Sequence, residues 1–123
     1  MSDMAKVLVV DDEETMRMLI TETLALEDYE ILEATNGEAA LEIIKNESPD
    51  IVLLDLMMPK MDGYEVINNL KEKELLSESK IIILTAKGQQ KEKELALKHG
   101  ADDFLSKPFS PMGLLDLVND IKE

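Results

Sequence analysis

Three blocks of the chain, at 7–10, 51–54 and 81–84, are aliphatic at every position rather than at every second one. A strand that is apolar on both faces must be covered on both faces. That is the condition of strands in a parallel sheet lying between helices. Two further blocks, at 29–34 and 103–105, mix polar with apolar residues and read as more peripheral strands. Between the blocks the apolar residues fall at helical spacing: Met16, Leu19, Ile20 and Leu24; Ala40, Ile43 and Ile44; Val66, Ile67 and Leu70; Leu114, Leu115, Val118 and Ile121. Strands alternating with single helices predict an α/β fold, a doubly wound parallel five-stranded (βα)5 sheet with helices on both faces and right-handed crossovers.

Local signals mark the helix ends. Thr35 and Glu38 match a capping box before the second helix. Ser110 and Pro111 supply an N-cap and a first-turn proline for the last helix, and Gly100 stands where the fourth helix stops. That fourth helix, over about 89–99, offers only Leu95, Ala96 and Leu97 as apolar residues. It is expected to be the most weakly held element, because helices draw most of their stability from a packed apolar face.

Composition narrows the class. A chain of 123 residues suits one domain, here 1–123, with no output domain expected. The net charge of −14 repels phosphate backbones and anionic membranes, which argues against nucleic acid as a partner. The absence of cysteine excludes disulfide scaffolds, thiolate zinc sites and a cysteine nucleophile. Apolar runs of four residues are far too short for membrane insertion, and residues 1–6 lack the architecture of a secretory signal. The expectation is a soluble, cytoplasmic domain.

Ligands of such sheets sit outside the carboxyl ends of the strands. Here those ends carry Asp11-Asp12, Asp55, Thr85-Ala86 and Ser106-Lys107-Pro108. Clustered carboxylates raise one another's pKa unless a cation intervenes. Oxygen-only donors favour a hard ion, with Mg²⁺ the natural choice. Carboxylate, cation, ammonium and hydroxyl together suit an acceptor of a phosphoryl group. No Gly-x-Gly-x-x-Gly or Walker A sequence occurs, so dinucleotide and P-loop readings lack support.

Four motifs stand in order at the strand ends: Val-Val-Asp11-Asp12-Glu13, Asp55-Leu-Met-Met-Pro-Lys-Met-Asp-Gly63, Ile-Ile-Leu-Thr85-Ala86 and Lys107-Pro108-Phe109. Across its whole length the chain resembles the receiver (response regulator) domains of two-component signalling, of the chemotaxis-messenger type, whose fold is flavodoxin-like. The resemblance implies that Asp55 accepts a phosphoryl group from the phosphohistidine of a sensor histidine kinase or from a phosphotransfer protein. It implies that Asp11, Asp12, Asp55 and the backbone carbonyl of Met57 hold Mg²⁺, and that Lys107 pairs with the phosphoryl group. It also implies that Thr85 and Phe104 form a switch, that the Lys107–Pro108 bond is cis, and that Met57 and Lys87 tune the lifetime of the phosphorylated form. Phe104 stands where the family often has tyrosine, so any hydrogen bond from a phenol is lost.

Some residues invite other readings. His99 is the only histidine and reads as solvated or as partnering a helix terminus. Met58 and Met61 read as packing the loop around Pro59, and Gly63 as a loop-to-helix junction that needs no side chain. Residues 80–107 carry six lysines against four acidic residues, a local +2, while the remainder carries −16. That stretch reads either as an ordinary solvated lysine face or as part of a docking surface for an acidic downstream protein, formed by the fourth helix, fifth strand and fifth helix; the latter is the expectation, with a monomer or weak dimer as the expected state. The chain is expected to catalyse only its own phosphorylation and slow dephosphorylation. Two alternatives are a Mg²⁺-dependent small-molecule phosphatase and a binding module that works without phosphorylation.

Overall fold

A computed structural model describes residues 4–86 and 90–121. Five strands alternate with five helices: β1 (Ala5–Val10), α1 (Glu14–Leu24), β2 (Tyr29–Ala34), α2 (Gly37–Glu47), β3 (Ile51–Asp55), α3 (Gly63–Glu72), β4 (Lys80–Thr85), α4 (Gln90–His99), β5 (Asp103–Ser106) and α5 (Pro111–Ile121). A short 3₁₀ turn, Leu76–Glu78, precedes β4. The strands are all parallel, in the order β2-β1-β3-β4-β5. This is the flavodoxin-like doubly wound sheet.

The uniformly apolar strands supply two cores at once. Alternate residues Val7, Val9, Ile51, Leu53, Ile82 and Leu84 face Ile20, Leu24, Leu114, Leu115 and Val118 of α1 and α5. The intervening Leu8, Val10, Val52, Leu54, Ile81 and Ile83 face Ala40, Ile44, Val66, Ile67, Leu70 and Ala96 of α2, α3 and α4. β2 and β5 are the edges. All four residues of β5 are only partly buried, which explains its mixed sequence.

α4 is as weakly seated as its composition foretells. Ala96 is its buried side chain, and Leu95 and Leu97 remain 40% and 41% exposed. Its end is a Schellman motif: Gly100, at φ 121°, donates to the carbonyl of Leu97, and Ala101 donates to that of Ala96. α5 begins as expected, with Ser110 Oγ accepting the Gly113 N–H at 2.9 Å.

The expected capping box at Thr35 and Glu38 is not formed. Asn36 is the N-cap of α2, and its Oδ1 accepts the Ala39 N–H at 2.8 Å. Starting the helix one residue later puts Glu38 at the wrong turn position to reach back. A reciprocal box stands instead at the start of α3. There Asp62 accepts the Glu65 N–H at 2.9 Å, and Glu65 accepts the Asp62 N–H at 3.2 Å.

The amino-terminal edge of the sheet is stitched by carboxylates. Asp50 accepts the Lys6 N–H at 2.8 Å, and its carbonyl accepts the Lys80 N–H at 2.9 Å. Asp102 accepts the Ile81 N–H at 2.8 Å and returns its own N–H to the Ile81 carbonyl at 2.7 Å. Ser79, buried, donates to the Pro49 carbonyl at 2.6 Å.

Gly63 sets the seat of α3. Its N–H donates to the Leu56 carbonyl at 3.0 Å, and a Cβ there would lie 3.0 Å from Leu56 Cα and 3.1 Å from the Asp55 carbonyl oxygen. Those neighbours are backbone and cannot rotate away. Alanine normally stabilises a helix relative to glycine, but here overpacking dominates. Gly63→Ala is expected to destabilise the domain by about 1–3 kcal/mol, read as a lower urea midpoint with an unchanged slope.

Candidate functional site

The strand order determines which side chains meet. β1, β3, β4 and β5 lie side by side, so the residues following them converge at the carboxyl edge of the sheet. Asp11 follows β1, Asp55 and Thr85 end β3 and β4, and Lys107 follows β5. The Lys107 N–H donates to the Thr85 carbonyl at 2.7 Å, which anchors the β5 end on β4. The Lys107–Pro108 peptide is cis.

Asp11 is fully buried and held from several directions. Its N–H donates to the Ala34 carbonyl, and its Oδ1 accepts the Glu13 N–H at 2.9 Å. Its Oδ2 lies 3.3 Å from Lys107 Nζ. Its carbonyl accepts from Arg17 Nη1 at 2.9 Å, while Arg17 Nε bonds Glu33. Asp55 is nearly as buried. Its Oδ1 accepts the Met57 N–H at 3.2 Å and stands 3.5 Å from Lys107 Nζ. Asp12, by contrast, is exposed.

Burial raises the Asp55 pKa from 3.8 to about 6, and the neighbouring Asp11 charge pushes in the same direction; Lys107 and the Met57 N–H oppose it without cancelling it. One oxygen from each of Asp11, Asp12 and Asp55 falls within 4.8 Å of the others. Three hard oxygen donors at this spacing, with unrelieved negative charge, fit a hard divalent cation. A cleft of about 530 Å³ opens over them, lined by Asp12, Glu13, Asp55, Met57, Ala86 and Lys107. A larger cleft of about 640 Å³, around Lys71, Lys80 and Asp102, lies at the amino-terminal edge of the sheet, remote from the acid cluster.

The other singled-out residues are placed as follows. Thr85 is buried at the end of β4. Phe104 is half-buried, beside Ile83 of β4, and packs into the core under α2, α3 and α4. Met57 is exposed and lines the cleft, whereas Met58 is buried and Met61 packs against the same core. Lys87 lies outside the described residues. His99 is not simply a solvated helix end, because its ring lies against Tyr64. Arg17 escaped the sequence reading: it acts on the Asp11 backbone from a full turn into α1, and no motif marks such a contact.

The chain matches the family model of the response regulator receiver domain over residues 7–119. It is 44% identical over 106 residues to the alkaline phosphatase synthesis transcriptional regulatory protein PhoP of Bacillus subtilis, covering 86% of this chain and 43% of that protein. It is also 44% identical over 109 residues to the phosphate regulon transcriptional regulatory protein PhoB of Pseudomonas aeruginosa, covering 89% of this chain and 48% of that protein. The chain thus spans less than half the length of these curated relatives. Among solved structures, the chemotaxis response regulator CheY4 of Vibrio cholerae superposes with a TM-score of 0.89 at 31% identity, covering 96% of this chain and 98% of that one. The receiver domain of the Francisella response regulator 1452 superposes with a TM-score of 0.89 at 32% identity, covering 96% of each chain. The chain belongs to the response regulator receiver family of two-component signal transduction. Among the described residues, no helix is long and apolar enough to cross a membrane.

The raised Asp55 pKa has a thermodynamic consequence. In the folded state Asp55 binds its proton more tightly than in the unfolded state, so without a divalent cation its contribution to stability falls as pH rises from about 4 to about 6. Asp55→Asn removes that dependence. The variant is expected to be more stable than the native chain at pH 7 by on the order of 2 kcal/mol. The gap should close as pH falls through 6 towards 4, as measured by urea unfolding in chelator.

Proposed function

We propose that the domain accepts a phosphoryl group on Asp55 from the phosphohistidine of a sensor histidine kinase or of a phosphotransfer protein, in a Mg²⁺-dependent reaction. The observation that carries this reading is the company of Asp55: Lys107 Nζ stands 3.5 Å from its carboxylate and 3.3 Å from that of Asp11, and an oxygen of Asp12 completes an acid cluster within 4.8 Å. A carboxylate oxygen of Asp55 forms a bond to phosphorus as the bond from phosphorus to the donor's imidazole nitrogen breaks.

Each neighbour has a part in that step. The Met57 N–H fixes the Asp55 carboxylate. The Lys107 ammonium, already over both acids, balances charge on the transferring oxygens. On this reading the hydroxyl of Thr85, the last residue of β4, turns towards the product, and Phe104, paired with Ile83 across β4, follows it. Mg²⁺, held by Asp11, Asp12, Asp55 and the Met57 carbonyl, would supply the remaining neutralising charge on the phosphoryl group. The domain turns over no external substrate on this reading and releases its phosphoryl group slowly, because an exposed Met57 thioether cannot orient a water. Lys87 is the second residue assigned to that lifetime. The signal leaves through the face of α4, β5 and α5, by protein contact or onward transfer, and the reading carries a cytoplasmic location with it.

The test is intact mass after incubation with acetyl phosphate. One phosphoryl adduct is expected with Mg²⁺ present, none in chelator and none for Asp55→Asn. Lys107→Ala should slow adduct formation by about a hundredfold. Met57→Asn, with Lys87 intact, should shorten the adduct's lifetime. If a native chain that binds Mg²⁺ stays unmodified by acetyl phosphate and by a kinase phosphodonor, the proposal fails. Steady release of phosphate from esters would instead identify a phosphatase.

A further inference from the structure

Two rings outside the acid cluster meet in a way that phosphoryl transfer does not use. Tyr64, the second residue of α3, and His99, the last of α4, stack with centroids 4.2 Å apart and planes 17° from parallel. The Tyr64 hydroxyl is buried and has no hydrogen-bond partner among the described residues. Burial and the charges of Glu92 and Asp62 hold its pKa above the ordinary value, so it remains an O–H, with no acceptor among the described residues. An aromatic stack and an unpaired buried hydroxyl are of comparable size and opposite sign.

Their place in the fold gives this opposition a role. Tyr64 follows Gly63, whose N–H bonds the Leu56 carbonyl and which leaves no room for a Cβ beside the Asp55–Leu56 backbone. The tyrosine is thus one residue from the junction with the strand end that carries Asp55, and its ring rests on His99 of α4. The helix itself has little other purchase, with Ala96 its buried side chain. It begins at Gln90, four residues after the cleft-lining Ala86.

We infer that Tyr64 is a positioning residue for α4: its ring, stacked on His99, clasps the helix to α3, while its hydroxyl, unpaired among the described residues, loosens the seat, so that this one side chain sets how readily α4 yields when the charge at Asp55 changes. The first half stands on the stack alone. The second half rests on the phosphoacceptor reading.

Native-state amide exchange over 91–99, without any phosphodonor, tests the clasp. Tyr64→Phe keeps the ring and removes the hydroxyl, and should slow exchange there by about tenfold. His99→Ala should speed it by about fivefold, and His99→Phe, which restores a stack, should bring it back to native rates. Exchange over 51–54 should stay unchanged in all three variants, which separates a local clasp from general destabilisation. Equal or faster exchange in Tyr64→Phe, or no change in His99→Ala, overturns the inference. A second arm adds Mg²⁺ and a beryllofluoride mimic of the phosphoryl group. The mimic should loosen 91–99 in the native chain and do so less in Tyr64→Phe; equal loosening in both overturns the coupling. Should the native chain fail to respond although acetyl phosphate modifies Asp55, the coupling falls and the phosphoacceptor reading stands; should it be neither loosened nor modified by either phosphodonor, that reading falls, and in both cases the clasp is decided by the first arm.

Discussion

Two buried carboxylates, Asp11 and Asp55, stand close enough at the end of a parallel sheet that the charge of Asp11 opposes the ionisation of Asp55. Most of what surrounds them limits that cost. Lys107 reaches both, the Glu13 and Met57 N–H groups each hold one, and Arg17 fixes the Asp11 carbonyl. The compensation is incomplete, since Asp55 still titrates near 6. A site left short of positive charge in this way has affinity for cations built into it, and a carboxylate raised in pKa by burial is a better nucleophile once ionised. The same imbalance that weakens the fold locally gives the site its chemistry.

The parts of the molecule legible in the sequence are those where one residue type has one physical use. Runs such as Ile51 to Leu54 have no stable place except a strand covered on both sides, so sheet and layers follow. The strand-end acids and Lys107 follow next, because parallel strands must end on one edge. What escaped depended on spatial neighbours. Asn36 and Thr35 are both good caps, and only the position of the first turn chooses between them. Arg17 and Tyr64 work through contacts with distant backbone or rings, and their local sequence resembles that of any surface helix. His99 looked solvated because the ring that covers it lies on another helix.

The helices are not equivalent. α1, α2, α3 and α5 bury apolar faces in the two cores, whereas α4 contributes one alanine and a stacked histidine. It also lies within residues 80–107, where six lysines stand against four acids in a strongly acidic chain. Weak seating and distinct charge coincide on the element that starts just past the cleft, which is the arrangement expected of a surface that must both change and be read.

The stitching by Asp50 and Asp102 at the far edge of the sheet completes the picture. Their carboxylates are occupied by the N–H groups of Lys6 and Ile81, so the strands are locked in register at that end. A sheet clamped along one margin cannot relieve stress by sliding its strands lengthwise. The opposite margin, where Asp55 and Lys107 stand, has no such clamp of carboxylates among the described residues, so the rigid end of the sheet and its chemically active end are different ends.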